Sequence, residues 1–499
     1  MEERPTDMAP VHVLVFPWPL QGHINSMLPF AAGLLGAGVH VTFLHTEHNL
    51  RRVDRAASPR LRFASVPDGL PDDHPRSVAH LSEIGRSLRP SASAAYRALL
   101  APALSTGSNA DGGFPPVSCV VADGLLPFAI DIAEELGVPA LAFRTESACS
   151  ILAYLSVPSL VGLGEVPVPA GADLDEPVRG VPGMEGFLRR RDLPSSCRGH
   201  GEAGELDPML QVLAKYTAHS CKARALIFNT TASLERSALA HIAPHMRDVF
   251  AIGPLNAISA APASATSLWR EDDGCTAWLD GHADRSVVYV SLGSLAIISR
   301  EQFAEFLSGL VGAGYAFLWA LRPDMVGASQ SAALQEAVDA AGKSKVRVVD
   351  WAPQRDVLRH RAVGCFLTHA GWNSTLEGIA EGVPLVCWPF FADQQINSRF
   401  TAAVWGTGLD MKDVCERAVV ERMVREAMES VELRRSAQAL AQQVRRDIAE
   451  GGSSASEFER LVGWIFPNRL RAQPVSLPSI QGTVQSTCPT MLSAMQCIP

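Results

Sequence analysis

The sequence lacks most of the features that would tie it to a metal, a nucleic acid or a membrane. Its ten cysteines include no C-x-x-C pair. Several, such as Cys119, Cys365 and Cys387, lie in apolar runs where a reduced thiol behaves as a small hydrophobe, so neither a disulfide framework nor a zinc ribbon is expected. There is no H-E-x-x-H, and the acid pair Asp173 and Asp175 sits among Pro, Ala and Gly, where it reads as a solvated turn. No metal and no cofactor is expected. A long basic run is also missing, and 43 Lys+Arg against 52 Asp+Glu leave a net charge of −9, which argues against a nucleic-acid partner. No stretch reaches the roughly 20 apolar residues of a membrane helix. The most apolar one, 147–164, is broken by Ser150, Ser156, Pro158 and Gly162, and reads as a buried helix and loop. The first ten residues carry acidic groups and no apolar leader core. The expectation is a cytoplasmic monomer without an integral membrane segment.

Dinucleotide-binding glycines are absent too. The first apolar run is followed by Pro17-Trp18-Pro19-Leu20-Gln21-Gly22-His23 and a later one by Leu292-Gly293-Ser294, each with a single glycine where G-x-G-x-x-G needs three. Gly342-Lys343-Ser344 resembles the end of a phosphate loop, but Ala337 stands where the first glycine would be.

What is present is strand–helix alternation, twice. Val11–Pro17, Val39–His45, Arg60–Pro67, Val117–Asp123, Pro139–Thr145 and Ala223–Thr230 read as buried strands, with helical patterns such as His23–Leu35 and Phe128–Leu136 between them. After a stretch rich in Ala, Ser and Pro the pattern restarts at Ser286–Ser294, Tyr315–Leu321, Lys345–Asp350, Val363–His369 and Val383–Pro389. Near-continuous apolar strands alternating with helices imply parallel sheets covered on both faces. The chain is therefore read as α/β, with two doubly wound domains: 1–253, a linker over 254–285, and 286–466. The uncharged, Ser/Thr/Pro-rich 467–499 reads as a disordered tail. Ligands of such sheets bind beyond the carboxyl ends of the strands, and the unusual chemistry lies there.

Residues 351–394, WAPQRDVLRHRAVGCFLTHAGWNSTLEGIAEGVPLVCWPFFADQ, carry WAPQ, then H-x-GWNS-x-x-E, then P-x-x-x-D-Q. This spacing resembles the donor-binding segment of the plant UDP-sugar-dependent glycosyltransferases of family 1, and the likeness extends from the GHI at residue 22 to EGGSS at 450–454. The resemblance implies the GT-B fold, two Rossmann-like domains facing across a cleft, with the acceptor mainly in the first and the UDP-sugar in the second. It implies that Trp351 stacks on uracil, with Ala352 leaving room and Gln354 meeting the ribose or uracil edge. His369, Gly371, Asn373 and Ser374 would meet the diphosphate at a helix start, where free N–H groups and the helix dipole favour an anion. Asn373 and Ser374 read equally as helix caps. Glu377 would bind the ribose, Ser294 the phosphates, and Trp372, Asp393 and Gln394 the sugar, Gln394 pointing to glucose. Ala370 departs from the cysteine common at its position.

The segment QGHINSMLPF resembles the catalytic-histidine segment of the same family. It implies His23 as general base, Asp123 at its other ring nitrogen, and Thr145 near the donor sugar. The implied reaction is inverting transfer of glucose from UDP-glucose, a co-substrate, to a hydroxyl of a small apolar acceptor: flavonoid, terpenoid or phenolic. Trp18, Phe128, Met184, Phe187 and Leu188 could line the acceptor pocket or be plain core. The alternatives are another donor, such as UDP-rhamnose or UDP-galactose, or a catalytically silent UDP-sugar-binding protein. Intact His23 and Asp123 argue against the latter.

Overall fold

The computed structural model describes residues 10–53, 59–76, 80–101, 114–198, 205–258, 268–325, 328–342 and 344–466. The tail expected over 467–499, the middle of the expected linker and Lys343 lie outside them.

Seven strands form the first sheet: β1 (His12–Phe16), β2 (His40–Thr46), β3 (Leu61–Val66), β4 (Cys119–Asp123), β5 (Ala140–Arg144), β6 (Leu226–Phe228) and β7 (Val249–Ala251). All pairings are parallel, in the order β3-β2-β1-β4-β5-β6-β7. The second sheet holds β8 (Val287–Ser291), β9 (Ala316–Ala320), β10 (Val346–Val349), β11 (Val363–Thr368), β12 (Leu385–Cys387) and β13 (Gly408–Asp410). It is also parallel, in the order β10-β9-β8-β11-β12-β13. The two outermost strands that sequence patterning missed, β7 and β13, are three residues each, too short for a periodic signal.

Each sheet is buried on both faces, as continuous apolar strands require. Leu14 and Phe16 point into one hydrophobic core while Val13 and Val15 point into another. The final helix, Ser453–Ile465, crosses back to the first sheet and buries Leu461 and Ile465 against it. Gly33 makes room for that helix, because a Cβ there would stand 2.9 Å from the Phe458 ring. The expected linker is only partly a connection. Cys275–Asp280 forms a helix whose Cys275 and Leu279 are buried in the core of the second sheet. The stretch 147–164 folds as two short helices, Ala148–Leu155 and Val157–Gly162. Among the described residues no helix is long and apolar enough to cross a membrane.

Strand order reverses between β1 and β4 in one sheet and between β8 and β11 in the other. These are the topological switch points at which open α/β sheets bind ligands.

Candidate active site

The first switch point carries an acid–histidine pair. β1 leads through residues 17–20 into the helix Gln21–Gly36, whose third residue is His23, and β4 ends on Asp123. His23 Nδ1 donates to Asp123 Oδ2 at 2.7 Å, and Leu125 N–H donates to Asp123 Oδ1 at 2.9 Å. Thr145, just past β5, holds its hydroxyl 3.0 Å from the same His23 nitrogen. Among the described residues nothing engages His23 Nε2, and the side chain keeps 18% exposure while Asp123 keeps 2%. Burial works to lower the His23 pKa, but the Asp123 carboxylate and its hydrogen bond outweigh it and raise the value above 6.5. Burial works to raise that of Asp123, and the histidine holds it below the usual carboxylate range. Such a pair fixes the Nδ1–H tautomer and leaves Nε2 as the basic atom.

At the second switch point the helix Trp372–Glu381 opens after β11. Its N-cap is Gly371, and no side chain caps it. Asn373 and Ser374 are therefore inside the first turn rather than caps, and the first N–H groups have no partner four residues back. The approach is strained: Ala370 has φ +60° and Ala392, before Asp393, φ +57°. Left-handed backbone costs a residue with a Cβ about 1–2 kcal/mol. Asn397 steadies both loops, its Nδ2 donating to Ala370 O at 2.9 Å and to Asp393 Oδ2 at 2.8 Å.

His369 is half-buried, and its pKa falls to about 4, first by desolvation and then by the Arg322 guanidinium. The expected phosphate-facing histidine thus brings a hydrogen bond and no charge. Arg322, which sequence reading overlooked, is the buried cation here; it donates to Gly293 O at 2.7 Å in the loop that carries Ser294. Gly293 has φ +76°, and a Cβ there would lie 2.5 Å from His369 Nε2. Nothing but glycine fits between these two loops.

Several expected donor residues form one network. Gln354 Nε2 donates to Ser374 Oγ at 3.0 Å and Glu377 Oε2 at 2.6 Å, while Tyr289 Oη donates to Gln354 Oε1 at 3.1 Å. Burial pushes the Glu377 pKa up, opposed by the Gln354 bond. Ala352 is buried beside them. Two side chains are turned elsewhere than expected. Trp372 Nε1 donates to Asn229 O at 2.8 Å in the first domain, and its indole is packed into the domain interface. Asn373 Nδ2 donates to Gly22 O at 2.7 Å, and Ser26 Oγ donates to Asn373 Oδ1 at 2.7 Å. Its side chain clasps the His23 helix instead of standing free for phosphate.

Asp393 and Gln394 are buried at the start of the next helix. Gln394 Oε1 accepts from the N–H groups of Phe390 and Phe391 at 2.8 and 3.2 Å, which leaves its NH₂ for a ligand. Burial pushes the Asp393 pKa up to about 7; Glu146 adds to the rise and the bonds from Asn397 and Ser147 N–H oppose it. Glu146 was not foreseen. It accepts from the buried Arg144 at 2.9 Å, and the clue was a charged residue closing the apolar run PALAFRT.

The five residues offered for an acceptor pocket are packed in the first domain's core or against it. Leu188 and Met184 are buried in it, Trp18 and Phe128 nearly so, with Phe128 edge-on to Phe16 and Tyr96. Phe187 packs against that core, edge-on to Phe400. Asp173 and Asp175 are engaged locally: Asp175 pairs with Arg189 at 2.8 Å and Arg191 at 3.0 Å, and its N–H donates to Asp173 Oδ1. Among the described residues one group has metal-ligand proximity, His74, His80 and Glu83, and it does not include Asp173 or Asp175. There His74 Nδ1 accepts from Arg76 N–H, which puts the proton on Nε2, facing Glu83 at 3.1 Å.

The chain is similar to known glycosyltransferases in sequence and in fold. The family model described as UDP-glucoronosyl and UDP-glucosyl transferase matches residues 222–443. A myricetin 3-O-rhamnoside 1,2-glucosyltransferase of Crocosmia x crocosmiiflora is 45% identical, over 95% of this chain and 98% of that protein. A 7-deoxyloganetic acid glucosyltransferase of Catharanthus roseus is 41% identical, over 93% of this chain and 99% of its own. The crystal structure of Os79 from O. sativa in complex with UDP superposes with a TM-score of 0.77 at 29% identity, over 91% of this chain and all of that one. The fold is GT-B, and the chain belongs to the plant UDP-sugar-dependent glycosyltransferases of family 1.

Proposed function

We propose that the protein transfers glucose from UDP-glucose, with inversion, to a hydroxyl of a small apolar acceptor. The observation that carries this reading is the contact of Asn373 Nδ2 with Gly22 O, 2.7 Å. It sets the uncapped helix start one residue from His23, whose Nε2 is the basic atom of the His23–Asp123 pair.

In the proposed step His23 Nε2 takes the proton of the acceptor hydroxyl as its oxygen attacks the anomeric carbon. The bond from that carbon to the diphosphate oxygen breaks, and UDP leaves with the electron pair. An α-linked donor becomes a β-glucoside. Asp123 stabilises the imidazolium, and general base catalysis of this type contributes ~10²–10⁴-fold. The charge gathering on UDP would be met by the first-turn N–H groups of Trp372–Glu381, by Ser374 and Ser294, and by the positive field of Arg322. His369 would add a hydrogen bond. No divalent cation enters the step. Asp393 and the free NH₂ of Gln394 would hold the sugar hydroxyls, and Glu377 with Gln354 the ribose.

The relatives named for a flavonol rhamnoside and an iridoid acid favour a flavonoid or terpenoid acceptor. A donor panel with UDP-glucose, UDP-galactose and UDP-rhamnose, run against mixed flavonoid, iridoid and phenolic acceptors, tests the proposal by mass-spectrometric detection of sugar addition. Hexose addition from UDP-glucose above the other donors is expected. Preference for another donor would displace the glucose reading, and no transfer to any acceptor would favour a silent binder.

A further inference from the structure

Trp351 has company. The indole of Trp269 lies stacked on it, ring centroids 5.9 Å apart and planes 19° from parallel. Trp269 belongs to residues 268–272, in the stretch between the two domains, and this strap is tied at both ends. On the first domain, Leu268 N–H donates to Gln21 Oε1 at 2.7 Å, and Arg52 Nη2 donates to Leu268 O at 3.2 Å. The Arg52 guanidinium also lies over the Trp269 ring, 5.6 Å from its centroid. On the second domain, Asp272 N–H donates to Trp351 O at 2.9 Å, and Asp272 Oδ1 accepts from Arg347 Nη2 at 2.7 Å.

An indole has two stacking faces. With Trp269 against one face of Trp351, the base of the donor is left the other. A platform ring held from behind by an aromatic partner needs no further ordering when a ligand arrives, and pre-ordered contacts give tighter binding than mobile ones. The tie has a second consequence. Gln21 opens the same helix as His23, two residues earlier, so the strap joins the base platform to the helix of the catalytic base.

We propose that Trp269 is a positioning residue of the donor site: it backs Trp351 to form a two-ring platform for the uracil base, and strap 268–272 ties that platform to the His23 helix. The proposal rests on the reading of Trp351 as the base-stacking residue, and the experiment separates the two.

The full-length chain and its Trp351→Ala, Trp269→Ala, Trp269→Leu and Trp269→Phe variants are compared for UDP affinity by calorimetry and for donor KM and kcat, with thermal melts to establish folding. A direct base–aromatic stack is worth enough that Trp351→Ala weakens UDP by about tenfold or more. Trp269→Ala should weaken it by a smaller factor, about three- to tenfold, and raise donor KM more than it lowers kcat. Trp269→Leu keeps apolar bulk without a flat face and should show the same loss should the alanine variant not fold. Trp269→Phe should recover most of the affinity. Unchanged UDP affinity in a folded Trp269→Ala or Trp269→Leu variant, beside a weakened Trp351→Ala, overturns the proposal. So does tighter binding, which would mean that Trp269 covers the place of the base. An unchanged Trp351→Ala overturns the base-stacking reading itself and the proposal with it.

Discussion

Two histidines occupy comparable places in the two domains and have opposite electrical surroundings. His23 lies in the helix after β1 and His369 directly follows β11, and both strands flank the point where their sheet reverses order. Burial acts to lower both. His23 has a carboxylate 2.7 Å away and ends above its ordinary value, whereas His369 has the Arg322 guanidinium near it and falls to about 4. Residue type is the same, and each ring stands at its sheet's reversal of strand order, though after strands on opposite sides of it: β11 is the counterpart of β4, not of β1. The neighbouring charge sets what each ring can do: one is poised to take up a proton near neutral pH, and the other stays uncharged and offers hydrogen bonds only.

The largest expected effect comes from removing the first ring. His23→Ala should lower turnover by ~10²–10⁴-fold or more while calorimetry finds UDP affinity unchanged, since the ring acts on the acceptor. Comparable turnover in the variant would take His23 out of the chemistry. Altering its neighbour sharpens the contrast. The base must be neutral to act, so kcat/KM of the wild type should rise with pH through a value above 6.5. Asp123→Asn removes the main cause that raises His23 and leaves burial to lower it. The rising limb should move to lower pH, and the plateau should fall by ~10²-fold or more as the tautomer is lost. A limb that stays in place would assign it to another group.

A smaller change is expected at the sugar. Gln394→His exchanges an amide with two donors and two acceptors for a ring with one of each, and disturbs a carbonyl that accepts from Phe390 and Phe391. Glucose transfer should lose about 1–3 kcal/mol, and the glucose-to-galactose ratio should fall, with UDP inhibition little altered. An unchanged ratio in paired kinetics would place sugar choice elsewhere. His369→Gln keeps an N–H donor and removes no charge, so donor affinity should drop by less than about tenfold. A far larger loss would mean that His369 is charged in the complex, contrary to its unliganded surroundings. The smallest effect is expected from EDTA, which should leave the rate unchanged. A large reversible loss would return Asp173 and Asp175 to consideration.

The strand ends that carry the site were legible in the sequence, although the order of the strands was not. Continuous apolar runs ending in Asp123, Thr145 and His369 read as parallel strands with those residues at their carboxyl ends, and His23 as opening the helix after the first run, because apolar patterning is a local property of the chain. Length limited that reading at the edges, where β7 and β13 offer three residues each. Composition misled at 275–280, where a helix packs into the core although it lies in a stretch taken as linker.

The sequence by itself therefore determined the two sheets, the cleft and the residue types that face it. Tertiary structure decided what each side chain is free to do. Asn373 and Trp372 stand in the donor segment, yet their side chains bond to Gly22 and Asn229, residues 351 and 143 positions away along the chain. Arg322 and Glu146 set the charge around His369 and Asp393 from loops that no motif marks. Motifs record which residues follow a strand. Hydrogen bonding and protonation depend on the distances and burial of groups from distant parts of the chain, and these exist only once the two domains have closed on each other.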